Sequence, residues 1–161
     1  MHTNDSDECR ATARRRSDDG ACTAMTMEAM QADAGRVGLE DVDITRLGMA
    51  AMRFIKAIEQ GQHEVLWDAA SKAFRQSMPR DAFIDSLTHR HGVLGCGTGR
   101  RWTAIRVDRP EGHVQWLPGT YARLEFSVSF GATEAPHREV VTLRHEEQGV
   151  WRLAGYGVKA A

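Results

Sequence analysis

The spacing of apolar residues changes once along this chain, near residue 100, and that change restricts the folds open to it. Before residue 100 apolar side chains recur at helical intervals; after it they alternate with polar ones, as on a strand with one buried face. Leu47, Ala51, Phe54, Ile55 and Ile58 fall on one face of a helix predicted from about Leu39 or Val42 to Gln60. Asp41 or Asp43 can accept backbone N–H bonds at its start, and Gly61 can take the left-handed conformation that ends it. At the other end of the chain, Ala122, Leu124, Phe126, Val128 and Phe130 alternate with Tyr121, Arg123, Glu125, Ser127 and Ser129, which predicts a strand from Thr120 to Phe130 with one core face and one mostly wet face. Helices first and an antiparallel sheet of about four strands afterwards is an α+β order, with the helices packed on the sheet as two layers.

The remaining elements follow the same reading. A second helix is expected from about Gln62 to Gln76, with Leu66, Ala70, Ala73 and Phe74 on its stripe and Trp67 beside it. Pro79 suits the first turn of a third, in which Phe83, Leu87, Leu94 and the stem of Arg90 continue the stripe towards Gly92 or Gly95. Gly95, Gly97 and Gly99 break it, and Trp102–Val107 is the first strand, with Thr103, Ile105 and Val107 opposing Trp102, Ala104 and Arg106. A short strand or loop at His113–Leu117 leads to the Pro118–Gly119 turn, and strands at Glu139–His145 and Val150–Val158 pair through Glu146–Gly149, where Gly149 takes a positive φ.

All eleven Phe, Trp and Tyr residues lie at or after Phe54, so nothing before it can anchor a core. Residues 1–37 read as a disordered tail and 38–161 as a single domain, since the early segment is charged, rich in Ala, Thr and Ser, and lacks sustained periodicity. With 21 Lys+Arg against 22 Asp+Glu, the net charge of −1 gives no global reason to expect nucleic acid or an anionic membrane as a partner. No apolar run approaches the ~18 residues of a membrane span. Asp18, Asp19, Thr23, Thr26 and Glu28 interrupt the one stretch resembling an export signal, which gives a cytoplasmic reading. Cys9, Cys22 and Cys96 show none of the short paired spacings of zinc or redox motifs and are expected to be free thiols, a Cys9–Cys22 disulfide being the alternative in an exported protein.

Several segments together resemble the family of domains of unknown function numbered 4019. They are Trp67–Asp68–Ala69–Ala70–Ser71 with Phe74, the pair Arg100–Arg101, Pro118–Gly119–Thr120–Tyr121, Phe126 with Phe130, Glu139–Val140–Val141–Thr142–Leu143, and the ending Gly149–Val150–Trp151–Arg152–Leu153–Ala154–Gly155–Tyr156. The resemblance runs from about Met49 to Lys159. It implies a bacterial protein with a curved sheet wrapped against helices, similar to cystatin-like or nuclear-transport-factor-like cones, which commonly hold a pocket. Many relatives are exported, which implies the cell envelope as the alternative compartment. No reaction, ligand or catalytic residue comes with the resemblance.

The candidate ligand-binding residues are Trp67, Asp68, Arg101, Tyr121, Trp151 and Tyr156, large or charged groups in or beside these segments. Against a ligand role, Trp67, Trp151 and Tyr156 also suit core packing, and Arg101 or Arg100 suits a pairing with a carboxylate such as Glu139. The glycines before Arg100 do not make a phosphate loop, because Arg–Arg and a strand follow where Lys–Ser/Thr and a helix are needed. His89 and His91, two apart on a helix, point to different faces, and no metal site or cofactor is expected. No nucleophile with a His–Asp arrangement is present, so no catalytic residue is assigned. The leading expectation is therefore a non-enzymatic binding or accessory module for a protein partner or small ligand, acting through the mouth of the sheet or its exposed face. The alternatives are a small cone-fold isomerase or hydrolase using Asp68 or Asp85, and a structural homodimer or immunity-type protein.

Overall fold

A computed structural model describes residues 42–110, 117–131, 135–147 and 149–161. Four helices precede four strands: α1 Ile44–Glu59, α2 His63–Ala69, α3 Lys72–Ser77, α4 Arg80–Leu94, β1 Gly97–Asp108, β2 Tyr121–Phe130, β3 Pro136–His145 and β4 Trp151–Ala160. The strands form an antiparallel meander in the order β1-β2-β3-β4, a curved and unclosed sheet with the helices on one side, in keeping with a cone. The α+β order read from the change of period is the order of the molecule. The anticipated 1–37 tail, and the His113–Leu117 element up to residue 116, lie outside the described residues.

Asp43 caps α1 by accepting a bond from the Arg46 N–H at 3.0 Å, and Gly61, at φ 70°, turns the chain after it. Leu47, Ala51, Ile55 and Ile58 are buried on the predicted stripe, and Phe54 packs half-buried beside them. They meet Leu124, Phe126, Val141, Leu143 and Leu153 from the sheet. Trp67, Phe74 and Phe83 fill the space between α2, α3 and α4, with ring centroids 5.3–6.1 Å apart in tilted or edge-on pairs.

Four local features differ from the sequence expectation. The helix expected over 62–76 is two helices, broken where Ala70 (ψ 158°) and Ser71 (ψ 149°) are extended. Ala70 bridges Leu153 of β4, the Ser71 N–H donates to the Leu153 carbonyl at 2.7 Å, and the buried Ser71 Oγ caps α3 by accepting from the Phe74 N–H. Tertiary pairing and a serine cap here outweigh a continuous helix. Secondly, β1 begins at Gly97 rather than after the glycines, because Gly99 (φ 61°) forms a bulge between Thr98 and Arg101 instead of a break. Thirdly, another irregularity between Trp102 and Ala104 shifts the phase, so Trp102, partnered with Phe126, shares the core side with Ile105, partnered with Leu124. Finally, the supposedly wet face of β2 buries Tyr121 and Glu125. The last hairpin forms as expected, with Gly149 at φ 72° and its N–H donating to the Glu146 carbonyl at 3.0 Å.

Candidate functional site

Strand alternation places Glu139 on the same face of β3 as Val141 and Leu143, so a carboxylate enters the helix-facing side with no exposed surface. It is held there by donors. The Gly99 bulge leaves Arg100 beside it, and Arg100 donates through Nε to Glu139 Oε2 at 2.5 Å, through Nη2 to Glu139 Oε1 at 3.4 Å, and through Nη2 to Glu59 Oε1 at 2.8 Å. The Tyr156 hydroxyl donates to Glu139 Oε1 at 2.7 Å, and the Gly97 N–H to Glu59 Oε1 at 3.1 Å. Gly97 is required by this packing. A Cβ there would stand 2.5 Å from Arg100 Nη2 and 2.7 Å from Val128 Cγ2.

Burial opposes the Arg100 charge, but hydrogen bonds and charges from Glu139 and Glu59 outweigh it and raise the guanidinium's pKa. Burial, reinforced by the neighbouring Glu139 charge, pushes the Tyr156 phenol well above its usual range. Tyr156 therefore keeps its proton and acts as a donor. Arg90 of α4 lies 5.4 Å from the centre of its ring. Between Ile58, Glu59, Leu87, Arg90, Phe130 and Tyr156 is a cleft of about 10 Å³, room for about one water molecule. The network ties β1, β3, β4 and α1 together.

The six residues singled out from sequence do not converge. Trp67 belongs to the aromatic trio under the helices. Asp68 is exposed on α2, and Asp85 exposed on α4, so neither has the apolar surroundings that general acid–base work in a cone needs. Arg101 is exposed and partnered with Ser127, on the side away from the helices. Tyr121 is buried on that same side, its hydroxyl donating to the Leu117 carbonyl at 2.8 Å with the Arg144 guanidinium 5.8 Å from its ring centre. Trp151 stacks at a tilt on His145, 4.9 Å away, at the edge of the core. Tyr156 alone joins the Glu139 network. Cys96 is disulfide-bonded, contrary to the free thiol expected, and accepts a 3.6 Å contact from His91 Nε2.

The outward face of the sheet can be read row by row from strand register. Asp108, Tyr121, Arg144 and Arg152 form one row; Arg106, Arg123, Thr142 and Gly155 the next; then Ala104, Glu125, Val140 and Gly157; then Arg101, Ser127, Arg138 and Lys159. Six arginines and a lysine thus share this face with Asp108 and Glu125. Three direct cross-strand pairs set cation against cation: Arg106–Arg123, Arg138–Lys159 and Arg144–Arg152. Such pairs cost stability. Glu125 lies 3.2 Å from Arg123 Nε and 3.8 Å from Arg138 Nη1, and Glu146 lies 2.9 Å from Arg144 Nη1. Arg101, Arg106 and Arg152 are exposed and pair with no carboxylate among the described residues.

The model of a family described as Protein of unknown function (DUF4019) matches residues 50–156. The chain belongs to the DUF4019 family. No curated protein and no solved structure matches it. Every member of the Glu139 network, and every cation of the outward face except Lys159, lies inside the span matched to DUF4019. Pairing of Glu139 with Arg101 or Arg100 was expected from the sequence, and Arg100 makes it; Glu59 was not expected. The signal for a buried network in this DUF4019 domain was the parity of β3, which puts a glutamate in phase with Val141 and Leu143.

Proposed function

We propose that this DUF4019 domain is a non-enzymatic binding module, a bacterial cone of the cystatin-like or nuclear-transport-factor-like kind, that engages an acidic protein surface through the outward face of its sheet. One observation carries the reading: the arginines of that face exceed the carboxylates beside them, in a chain of net charge −1. Like charges set directly opposite one another are a standing cost that a partner's carboxylates would convert into charge-assisted pairs. Arginine is also the cation best suited to bidentate carboxylate recognition. On the helix side, the cleft beside Glu59 and Tyr156 has room for about one water molecule, so that cleft itself does not carry the binding role. A disulfide at Cys96 supports the cell envelope over the cytoplasm. An immunity-type protein blocking an acidic partner would be one form of this function.

Titration of the full chain with poly-L-glutamate tests it. Binding should weaken as salt is raised and should fall about tenfold or more in the double variant Arg106→Glu/Arg138→Glu, as expected when close charge pairs are reversed. Equal reversals at Arg53 and Arg75, on the helices, should leave it unchanged. Equal loss in both variants would contradict a face-specific site.

A further inference from the structure

We infer that the outer side of α1, with Trp102 of β1 beside it, is a peripheral docking surface for an anionic lipid bilayer, separate from the arginine face. The observation that starts it is a glycine. Gly48 lies in mid-helix, where glycine costs stability relative to alanine, and a Cβ there would stand 2.8 Å from Cζ3 of the Trp102 ring. The missing side chain thus lets the indole lie against the helix. Ile44 and Met52, one turn before and after Gly48, flank the ring, and Met49 neighbours Met52 at three residues' distance. All four reach solvent: Met49 is 59%, Met52 42%, Ile44 40% and Trp102 40% exposed. They are half of the large apolar side chains left exposed among the described residues, gathered at one place.

The charges around this ridge share one sign. Arg46 and Arg53 stand one turn to either side of Met49, and Lys56 one turn beyond Met52. All three are exposed, and none pairs with a carboxylate among the described residues. The acids nearby are committed elsewhere: Glu59 accepts from Arg100 and the Gly97 N–H, and Asp43 caps the helix. An apolar ridge edged by long cations suits a membrane interface, where the apolar groups enter the acyl boundary and the cations reach lipid phosphates. Shape selects a bilayer over a protein. The four side chains protrude, and none of them lines the cleft at Ile58 and Tyr156; a partner helix would need a groove to receive it, whereas a bilayer yields to a ridge. No helix among the described residues is long and apolar enough to cross a bilayer, so the contact is adsorption. Because the opposite stripe of α1, with Leu47, Ala51 and Ile55, packs on the sheet, a docked molecule turns its arginine face away from the lipid.

Flotation with vesicles tests the inference. The full chain should float with mixed phosphatidylglycerol and phosphatidylcholine vesicles, not with phosphatidylcholine alone, and should detach as salt is raised. Arg53→Glu/Lys56→Glu should weaken binding by about thirtyfold or more, at about fivefold for each cation lost. Met49→Ser/Met52→Ser should weaken it by about tenfold. These side chains are exposed, so both variants should keep the wild-type circular dichroism. Arg106→Glu/Arg138→Glu should leave flotation unchanged, while Arg53→Glu/Lys56→Glu should leave poly-L-glutamate binding unchanged, so the two surfaces fail separately. Absence of flotation by the folded wild-type chain would overturn the inference and leave the ridge to a protein partner. Loss confined to Arg106→Glu/Arg138→Glu would place the vesicle on the arginine face, and full binding by Met49→Ser/Met52→Ser would reduce the contact to charge alone; either result would also overturn it.

Discussion

Glu139 occupies a core position with Arg100 and the Tyr156 hydroxyl both donating to its carboxyl oxygens. Replacing it with Ala strands the Arg100 cation inside, and breaking a buried pair in this way costs about 3–5 kcal/mol; urea denaturation should show a loss of that order. Tyr156→Phe removes one hydroxyl donor and should cost about 1 kcal/mol. A neutral Glu139→Ala would mean that the network carries no stability. His63 offers a second residue-scale prediction. Its ring is buried between the Ile58 carbonyl, 3.2 Å from Nε2, and Thr88 Oγ1, 3.0 Å from Nδ1. Burial first, then the nearby His91 charge, holds its pKa below 6.5, despite the Ile58 hydrogen bond. As pH falls below 6.5, the unfolded chain takes up a proton that the folded chain resists, so stability should decline from 6.5 down to the lower folded pKa and be insensitive to this group above 6.5. In His63→Gln that part of the slope should vanish; an unchanged pH profile would show that His63 is not responsible. Thiol titration of the unfolded, unreduced chain should find one free thiol among the three cysteines. The sequence offered Arg101 or Arg100 as the partner of Glu139, and the bulge at Gly99, which is invisible in the sequence, gives the pair to Arg100. Glu59 could not be read from the sequence, because on α1 it falls among exposed positions and only the curvature of the sheet brings Arg100 to it.

Elements were legible wherever apolar period alone decides structure. The helix-packing faces of α1 and β2 and the turn at Gly149 followed from local rules of spacing and φ, whereas the burial of Tyr121 and Glu125 on the other face of β2 did not. The break between α2 and α3 was not legible, since Leu66, Ala70 and Phe74 keep helical spacing across it while the reason for the break, the carbonyl of Leu153, lies more than eighty residues away. Ser71→Ala removes the buried cap of α3 and should cost about 1 kcal/mol, measurable by thermal or urea unfolding; no loss would mean that the Ser71 N–H bond to Leu153 alone sets the break. The irregularities of β1 were hidden for a similar reason. Glycines mark both breaks and bulges, and pairing with β2 decides which. Gly97→Ala would drive a methyl into Arg100 and Val128, and an overpacking cost of about 1–3 kcal/mol is expected.

At the scale of the whole molecule, the order of layers followed from the change of period, but the use of the sheet's two faces did not. A net charge near zero concealed an acidic first quarter and a basic sheet face, because summed charge carries no information about position. Both sheet edges are guarded: β1 carries two irregularities and exposed Arg101 and Arg106, and the outer edge of β4 is bridged at Leu153 by Ala70. Together with cation repulsion across the outward face, this predicts a monomer in light scattering rather than the sheet-mediated homodimer; a mass of two chains would contradict it. On this reading the outward face, with Arg101, Arg106, Arg138 and Arg152 on it, is where the molecule binds an acidic partner. In chemical-shift mapping of the ¹⁵N-labelled full chain during poly-L-glutamate addition, the backbone amides of Arg101, Arg106, Arg138 and Arg152 should move, and perturbation confined to Glu59, Arg90, His91 and Tyr156 would show that the outward face is not the binding surface.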